Sequence, residues 1–202
     1  MNFPRILKKR KGYIDRIKPF MQKSVIKVLT GQRRVGKSFL LYQLIEEILA
    51  EEPDANIIYI NLEDFAFSSL QTAEDLHSYI ISHSKEKVKN YIFIDEIQDI
   101  PGFEKVIRSL LLNEDNDIYI TGSNAKMLSG ELATYLSGRY IEFKIYSLSY
   151  SEFLEFHGLT ESETSYELYS RYGGLPYLLN LPLEDETCLL YTSPSPRDRS
   201  VS

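Results

Sequence analysis

The stretch Gly31-Gln32-Arg33-Arg34-Val35-Gly36-Lys37-Ser38 fits the pattern G-x-x-x-x-G-K-[ST] and decides the fold. It directly follows an apolar run at residues 25–29 and precedes a segment with helical periodicity. A strand that turns sharply into a helix leaves backbone N–H groups unpaired at the helix start, where the helix dipole adds partial positive charge. The stretch therefore predicts a loop that cradles phosphate groups.

Each residue type in this loop has a physical reason to be there. Gly31 and Gly36 allow backbone angles and close approaches that a Cβ would block. Lys37 supplies a mobile cation for the β- and γ-phosphates, and the Ser38 hydroxyl suits Mg²⁺. The alternative is a plain glycine-containing turn with an exposed lysine. The predicted nucleotide-binding residues are Gly31, Arg33, Arg34, Val35, Gly36, Lys37, Ser38 and Phe39.

Length and composition limit the class of protein. A chain of 202 residues can form one full α/β domain with a core. The sequence has no apolar run of membrane-spanning length and no secretion signal, which predicts a soluble, cytoplasmic protein without a membrane partner. The single cysteine, Cys188, cannot form an internal disulfide, and no Cys/His spacing suggests zinc.

The net charge of −6 hides an asymmetry along the chain. Residues 1–37 carry a formal charge of +11, and the rest of the chain carries −17. The cluster Lys8-Lys9-Arg10-Lys11 could contact nucleic acid, an acidic partner or the nucleotide phosphates. A solvated charged surface is the alternative, because a short basic run without interleaved aromatics is weak support for DNA binding.

Strand-like and helix-like segments alternate after the basic segment. Five strands separated by helices predict a parallel sheet in a three-layer α/β/α fold, and the helical segments that follow predict a partial lid. The predicted strands are 25–29, 56–61, 91–94, 117–122 and 140–145. The predicted helices are 38–52, 72–82, 103–112, 131–136, 151–156, 161–172 and a short one opened by Pro176. Thr72 is the predicted N-cap of the second helix. The predicted divisions are 1–23 (basic segment), 24–147 (core), 148–187 (start of the lid) and 188–202 (tail).

The tail at residues 188–202 has no strand or helix period and is interrupted by prolines. When residues 188–198 are written back into codons, they resemble one frame of the adapter used in transposase-based sequencing libraries. We interpret the tail as non-native, with native sequence ending near Thr187. The alternative is a natural disordered Ser/Pro tail. Re-sequencing the locus distinguishes the two.

Polar side chains follow two of the predicted strands at their carboxyl ends, where ligands of such sheets bind. Asp95 and Glu96 come directly after the third strand and form a Walker B arrangement. Asp95 would hold Mg²⁺ beside Ser38, and Glu96 would polarise the attacking water. The fourth strand ends in Thr121-Gly122-Ser123-Asn124, where Asn124, with Ser123 next, is our choice for contacting the γ-phosphate or that water.

Arginines supply the remaining candidate cations. A guanidinium at Arg139, supplied from a neighbouring subunit, would spread charge on a transferring phosphoryl group and couple hydrolysis to assembly. A surface arginine that opens a strand is the alternative. Arg33 and Arg34 lie close to the predicted phosphates, but either could instead pair with an acidic residue across the cleft.

Taken together, residues 31–38, 91–98, 121–124, 131–139 and Tyr172-Gly173-Gly174-Leu175-Pro176 resemble one family, the AAA+ ATPases. The likeness covers about residues 20–180 and is strongest to a prokaryotic group that carries a winged-helix element and a C-terminal domain of unknown function. It implies a P-loop NTPase sheet in the order 5-1-4-3-2. It also implies these roles: Walker A lysine for Lys37, Walker B pair for Asp95 and Glu96, sensor 1 for Asn124, and arginine finger for Arg139. Arg171 is the only nearby candidate for a sensor 2 arginine.

The resemblance implies a Mg²⁺-dependent ATPase that passes its nucleotide state to a partner or to a C-terminal domain. Two other functions stay open: a slow nucleotide-dependent signalling switch, and a RecA-like DNA-associated motor, because Asp-Glu-Ile-Gln also resembles helicase boxes. The helical lid and the Gly138-Arg139 pair favour AAA+ over the motor. No Asn-Lys-x-Asp motif follows the fourth strand, so the nucleotide is ATP by elimination and analogy. The predicted partners are ATP and further copies of the chain through Arg139; the client is not identified.

Overall fold

The fold is given by a computed structural model, which describes residues 8–122, 136 and 138–180. These residues form two compact units. The larger unit contains the described residues up to Arg33 and those from Lys37 to Ile145. The smaller unit contains Arg34–Gly36 and the described residues from Tyr146 onward.

A five-stranded sheet organises the larger unit. Its strands are all parallel and lie in the order β2-β3-β4-β1-β5. This confirms the order 5-1-4-3-2 that the family resemblance implied. The strands are β1 (Ile26–Thr30), β2 (Asn56–Asn61), β3 (Asn90–Asp95), β4 (Asn116–Gly122) and β5 (Tyr140–Lys144).

The three central strands are buried on both faces. Every residue of β1, β3 and β4 is buried, as expected for parallel strands that are covered by helices. One apolar cluster combines residues from β1 to β4 with others from two helices, including Leu76, Ile80, Val106 and Ile107. This core fixes the strands side by side, and so fixes where their carboxyl ends meet.

A pair of oppositely charged residues is buried within the sheet. Lys27 of β1 and Asp117 of β4 form an ion pair, and neither side chain is exposed to solvent. Asp117 also accepts hydrogen bonds of 2.8 Å from the Tyr119 hydroxyl and from the backbone N–H of Gln22. Burial lowers the pKa of Lys27, and the charge of Asp117 opposes that shift. The pair is therefore a costly internal feature whose charges offset each other.

Within the described ranges, the larger unit contains four α-helices. The first of them, α1, precedes the sheet, and the other three connect successive strands: α2 joins β1 to β2, α3 joins β2 to β3, and α4 joins β3 to β4. Thr72 caps α3, as predicted, in a capping box with Asp75, and its hydrogen bonds lower the pKa of Asp75. The helices are α1 (Lys11–Ile17), α2 (Lys37–Glu51), α3 (Ala73–His83) and α4 (Phe103–Leu110).

From residue 8 onward the basic N-terminal segment is structured, which the sequence analysis did not predict. Its helix α1 buries Ile14 and Ile17. Lys9 and Lys18 both form ion pairs with Glu47 of α2, at 2.8 and 2.6 Å. Hydrogen bonds from these two lysines hold the pKa of Glu47 at about 2. Part of the basic charge therefore has a partner within the chain.

As far as it is described, the smaller unit contains two α-helices and a 3₁₀ turn. Helix α5 (Tyr150–His157) begins with a capping box at Ser149, and α6 (Glu163–Tyr172) follows it. The turn spans Pro176–Asn180. Gly174 is held against Leu148, whose N–H donates a 2.6 Å hydrogen bond to the Gly174 carbonyl. Crossing a bilayer takes a run of about 20 apolar residues, and no helix among the described residues provides one.

Candidate nucleotide-binding site

The phosphate-loop motif lies where the sequence analysis placed it, between β1 and α2. β1 ends at Thr30, and the 15-residue helix α2 begins at Lys37. Gly36 has a φ of +94°, a conformation that side-chain-bearing residues rarely adopt. Arg34 also has a positive φ, of +67°. Helix α2 follows β1 in the chain, so its N-terminus lies toward the carboxyl end of that strand.

The Lys37 side chain is buried and contacts both the loop and the residue that follows the third strand. Its ammonium donates hydrogen bonds to the carbonyl oxygens of Gly31 and Gln32, at 3.3 and 3.1 Å. It also forms an ion pair with Glu96 Oε1 at 3.3 Å. Walker A and Walker B residues thus meet through a direct contact between opposite charges.

Asp95 is the last residue of β3 and is almost fully buried. Its carboxylate accepts hydrogen bonds from the hydroxyls of Thr121 and Ser38 and, at 3.3 Å, from that of Tyr59. Burial raises the pKa of Asp95 and the charge of Glu96 adds to that shift, while the hydroxyl donors act against it. The result is a carboxylate surrounded by oxygen donors, one of which is the predicted Mg²⁺ ligand Ser38.

Glu96 follows Asp95 in a left-handed conformation, with φ of 55° and ψ of 46°. Its N–H donates a 3.0 Å hydrogen bond to Thr121 Oγ1. Its Oε2 accepts a 2.6 Å hydrogen bond from Gln98 Nε2, while Oε1 contacts Lys37. A non-glycine residue in this conformation needs support from its surroundings, and Thr121 and Gln98 provide that support here.

The other predicted residues differ in their placement. Val35 is buried, and the largely exposed Arg33 lies 4.0 Å from Glu63, which is the cross-cleft pairing that was left open for it. Phe39 is partly exposed on α2, with an edge contact to the Tyr42 ring.

Asn124 and Arg139 are the two candidate residues that belong neither to the loop nor to the Walker B pair, and their roles remain predictions. Asn124, like Ser123, lies outside the described residues. Arg139 is exposed just before β5, where its carbonyl accepts a 2.9 Å hydrogen bond from the Ile26 N–H. Its described backbone contacts therefore fix the start of an edge strand, and the arginine-finger role stays a prediction.

Three residues near the Walker B pair were not assigned roles from the sequence: Thr121, Tyr59 and Gln98. Thr121 was noted as a strand end, and its position one strand away from Asp95 depends on the pairing of β3 with β4. Tyr59 reaches Asp95 from β2, and its hydroxyl lies 3.1 Å from that of Tyr42. The hydroxyls of Thr121 and Tyr59 meet at the Asp95 carboxylate because β4 and β2 lie on either side of β3.

The chemistry of this arrangement suits a phosphate group and a cation. A helix N-terminus and Lys37 offer positive charge, and Ser38 and Asp95 offer oxygen ligands. Within the described ranges, no group of three or more His, Cys, Asp or Glu side chains forms a ready metal cage. A metal bound here would therefore take further ligands from its substrate or from water.

A comparison with known protein families bears on the identity of this site. The family model for the AAA domain matches residues 23–154, which include the loop, the Walker B pair and all five strands. The chain belongs to the AAA domain family. It is therefore a P-loop domain of the nucleotide-binding ATPase class, as the sequence resemblance implied.

Known relatives and solved structures agree with this assignment. An uncharacterized protein of Haemophilus influenzae is 42% identical to this AAA domain over 178 residues, which cover 83% of this chain and 43% of that protein. A Saccharomyces cerevisiae Hsp104–ADP complex has a TM-score of 0.63 at 14% identity, over 88% of this chain and 30% of that one. AMPPCP-bound DnaA from Aquifex aeolicus has a TM-score of 0.52 at 14% identity, over 89% and 61%. The structural likeness shows a shared AAA+ fold, and the chain spans less than half the length of the Haemophilus relative.

Proposed function

We propose that this AAA domain binds ATP with Mg²⁺, hydrolyses it, and passes its nucleotide state to a partner or to a further domain. The observation that carries the proposal is the convergence of Lys37, Ser38, Asp95, Glu96 and Thr121 at one edge of the sheet. These side chains come from α2, from β3 and the residue after it, and from β4, and they are linked by direct contacts.

Phosphate binding follows from the loop and from Lys37. A triphosphate placed in the loop would be stabilised by the N–H groups and dipole of α2. The Lys37 ammonium contacts two carbonyl oxygens of this loop, so it would lie close to a phosphate bound there. Phosphate oxygens would then compete with Glu96 for Lys37, because both carry negative charge. Replacing Lys37 by Ala removes this cation and should abolish nucleotide binding.

The residues present suit Mg²⁺. This ion prefers oxygen ligands and is usually held in proteins by one or two carboxylates, with phosphates and waters completing its shell. Ser38 and Asp95 provide a hydroxyl and a carboxylate that already hydrogen-bond to each other. When bound, Mg²⁺ would neutralise phosphate charge and polarise the transferring group. Tyr59 and Thr121 would keep the Asp95 carboxylate oriented.

Glu96 is the base in this proposal. Its carboxylate is held by Gln98, and its backbone by Thr121. It would orient a water molecule toward the γ-phosphorus and accept a proton as that water attacks. Asn124 is proposed as a further polar contact to the γ-phosphate or to the water, and Arg139 as a cation supplied to a neighbouring copy of the chain.

ATP is the proposed nucleotide for two reasons. The chain has no guanine-reading Asn-Lys-x-Asp motif after β4. In addition, two proteins of similar fold were solved with adenine nucleotides or an analogue, Hsp104 with ADP and DnaA with AMPPCP. The client stays unassigned.

The test is isothermal titration of the chain with Mg-ATP, together with a phosphate-release assay. Lys37→Ala should bind no Mg-ATP, and the exposed Lys105→Ala serves as the matched control that keeps wild-type affinity. Glu96→Gln should bind Mg-ATP and lose turnover, by about 100-fold or more, while the exposed Glu74→Gln should keep it.

These measurements also separate the alternatives. Binding that is unchanged in Lys37→Ala would refute the site. Unchanged turnover in Glu96→Gln would remove Glu96 from its role. Tight binding with very slow turnover in the wild-type chain would favour a nucleotide-dependent switch over an ATPase that turns over continuously.

A further inference from the structure

Gln98 contacts the Glu96 side chain, and the sequence analysis assigned this residue no role of its own. It lies in the 3₁₀ turn Ile97–Asp99 that follows the Walker B pair. Its Nε2 donates a 2.6 Å hydrogen bond to Glu96 Oε2. Its carbonyl oxygen Oε1 is buried and has no hydrogen-bond partner among the described residues.

The unpartnered oxygen argues against a purely stabilising role for this amide. A buried acceptor without a partner costs free energy, and such groups in native proteins call for a functional explanation or an ordered water. A leucine of similar size would fill the same space without that cost. Since the other end of the amide holds the Glu96 carboxylate, the explanation is best sought in what Glu96 does.

Glu96 is held at three points, and they do not respond equally to a nucleotide. Thr121 holds its backbone N–H, Gln98 holds Oε2, and Lys37 holds Oε1. Under the proposed function, the phosphates compete for Lys37, which weakens the ion pair with Glu96. Gln98 then remains the only one of these contacts that still orients the carboxylate, because Thr121 acts on the backbone.

We propose that Gln98 is a positioning residue for ATP hydrolysis: its amide holds the Glu96 carboxylate in place once Lys37 has turned to the phosphates. This inference rests on the proposed function. In the step that it supports, the water oxygen bonds to the γ-phosphorus, the bond from that phosphorus to the ADP oxygen breaks, and a water proton passes to Glu96. The free Oε1 of Gln98 leaves an acceptor for a water molecule next to that carboxylate.

The test compares turnover with binding in Gln98→Leu, which keeps the side-chain size and removes the amide. Phosphate release should fall roughly 10- to 100-fold, the scale of a displaced catalytic group, with the Mg-ATP dissociation constant within about 3-fold of wild type. The exposed Gln71→Leu is the matched control and should change neither value. Gln98→Asn, whose amide is one methylene shorter, should show the same loss and replaces Gln98→Leu if that variant does not fold.

A double variant separates positioning from a structural role. If Gln98 acts through Glu96, then Gln98→Leu should lower the residual turnover of Glu96→Gln by less than about 3-fold, because residues that act as a unit have non-additive effects. A structural role would instead weaken Mg-ATP binding, lower the melting temperature and reduce turnover further in the Glu96→Gln background.

Each outcome bears on one of the two proposals. If the wild-type chain binds no Mg-ATP, the proposed function fails. If it hydrolyses ATP and Gln98→Leu keeps wild-type turnover, the positioning role is overturned and the ATPase stands. The positioning role is also overturned if the wild-type chain binds Mg-ATP without releasing phosphate, or if binding and turnover fall together in Gln98→Leu.

Discussion

The buried pair of Lys27 and Asp117 provides a sharp quantitative prediction about the stability of the sheet. The perturbation is Lys27→Met, which keeps the length and apolar stem of the side chain and removes its charge. Asp117 would then lie in the core without a counter-ion, retaining only its hydrogen bonds from Tyr119 and from the Gln22 N–H. An uncompensated buried charge is among the few features that make a single substitution severely destabilising.

The magnitude follows from what remains around the carboxylate. Removing one partner of a buried pair costs about 3–5 kcal/mol, and we expect the lower end because two donors 2.8 Å away still face Asp117. A loss of about 3 kcal/mol is a large fraction of a typical stability of about 5–15 kcal/mol. At about 2–4 °C for each kcal/mol in a domain of this size, the melting temperature should fall by about 6–12 °C.

The assay is urea unfolding followed by circular dichroism, applied as a double-mutant cycle. Lys27→Met/Asp117→Asn removes both charges and keeps an acceptor for the two remaining donors, so it should regain at least about 2 kcal/mol relative to the sum of the single losses. Lys9→Met, which breaks a surface ion pair instead, should cost less than about 1 kcal/mol. Single effects that simply add in the double variant would refute the reasoning, because they would show that the two charges do not stabilise each other.

Three further predictions concern a surface pair, a glycine and a hydroxyl. Glu47→Gln should be less stable than wild type near neutral pH, and the difference should disappear between pH 4.5 and 2. The reason is that hydrogen bonds from Lys18 and Lys9 lower the folded-state pKa of Glu47 from 4.5 to about 2, so the stability that they contribute is lost as the pH falls through that range. Urea midpoints against pH check this. Gly174→Ala should destabilise the smaller unit by more than about 2 kcal/mol, because a Cβ would lie 2.2 Å from the Leu148 carbonyl oxygen. The same change at Gly12, an exposed position in α1 with open space around it, should instead stabilise by about 0.5–1 kcal/mol; thermal unfolding compares the two. Thr121→Val keeps the side-chain shape but removes a hydrogen-bond donor and an acceptor from the buried Walker B turn. It should therefore lower the free energy of unfolding by about 1–3 kcal/mol and reduce phosphate release. Unchanged values for both would contradict the contacts assigned to the Thr121 hydroxyl.

Local sequence was sufficient for much of the fold and for the centre of the site. The loop before α2 was predicted because its glycines, lysine and serine are consecutive in the chain. The Walker B pair was predicted because Asp95 and Glu96 directly follow an apolar strand. The cap at Thr72 was predicted because an N-cap residue directly precedes the helix that it caps. Each of these features depends on residues that are close together in the chain, so the amino-acid sequence alone is enough to predict it.

Other features could not be read from the sequence, because they depend on which strands and helices become neighbours. Helix α1 was missed because its seven residues bury only two apolar side chains and its charges suggested a solvated surface. Lys9 and Lys18, which flank α1, meet Glu47 at 38 and 29 residues' separation only once α1 lies near α2. The roles of Asn124 and Arg139 stay predictions that rest on family resemblance.

The sequence by itself determined that this chain forms a parallel α/β domain with a phosphate-binding loop, because strand periodicity and contiguous motifs are local properties. Only the tertiary structure decided which side chains meet around that loop and the end of β3: Lys37 against Glu96, and the hydroxyls of Thr121 and Tyr59 on Asp95. The physical reason is that the sheet places β2 and β4 on either side of β3. Side chains from distant parts of the chain therefore meet at a single carboxyl edge.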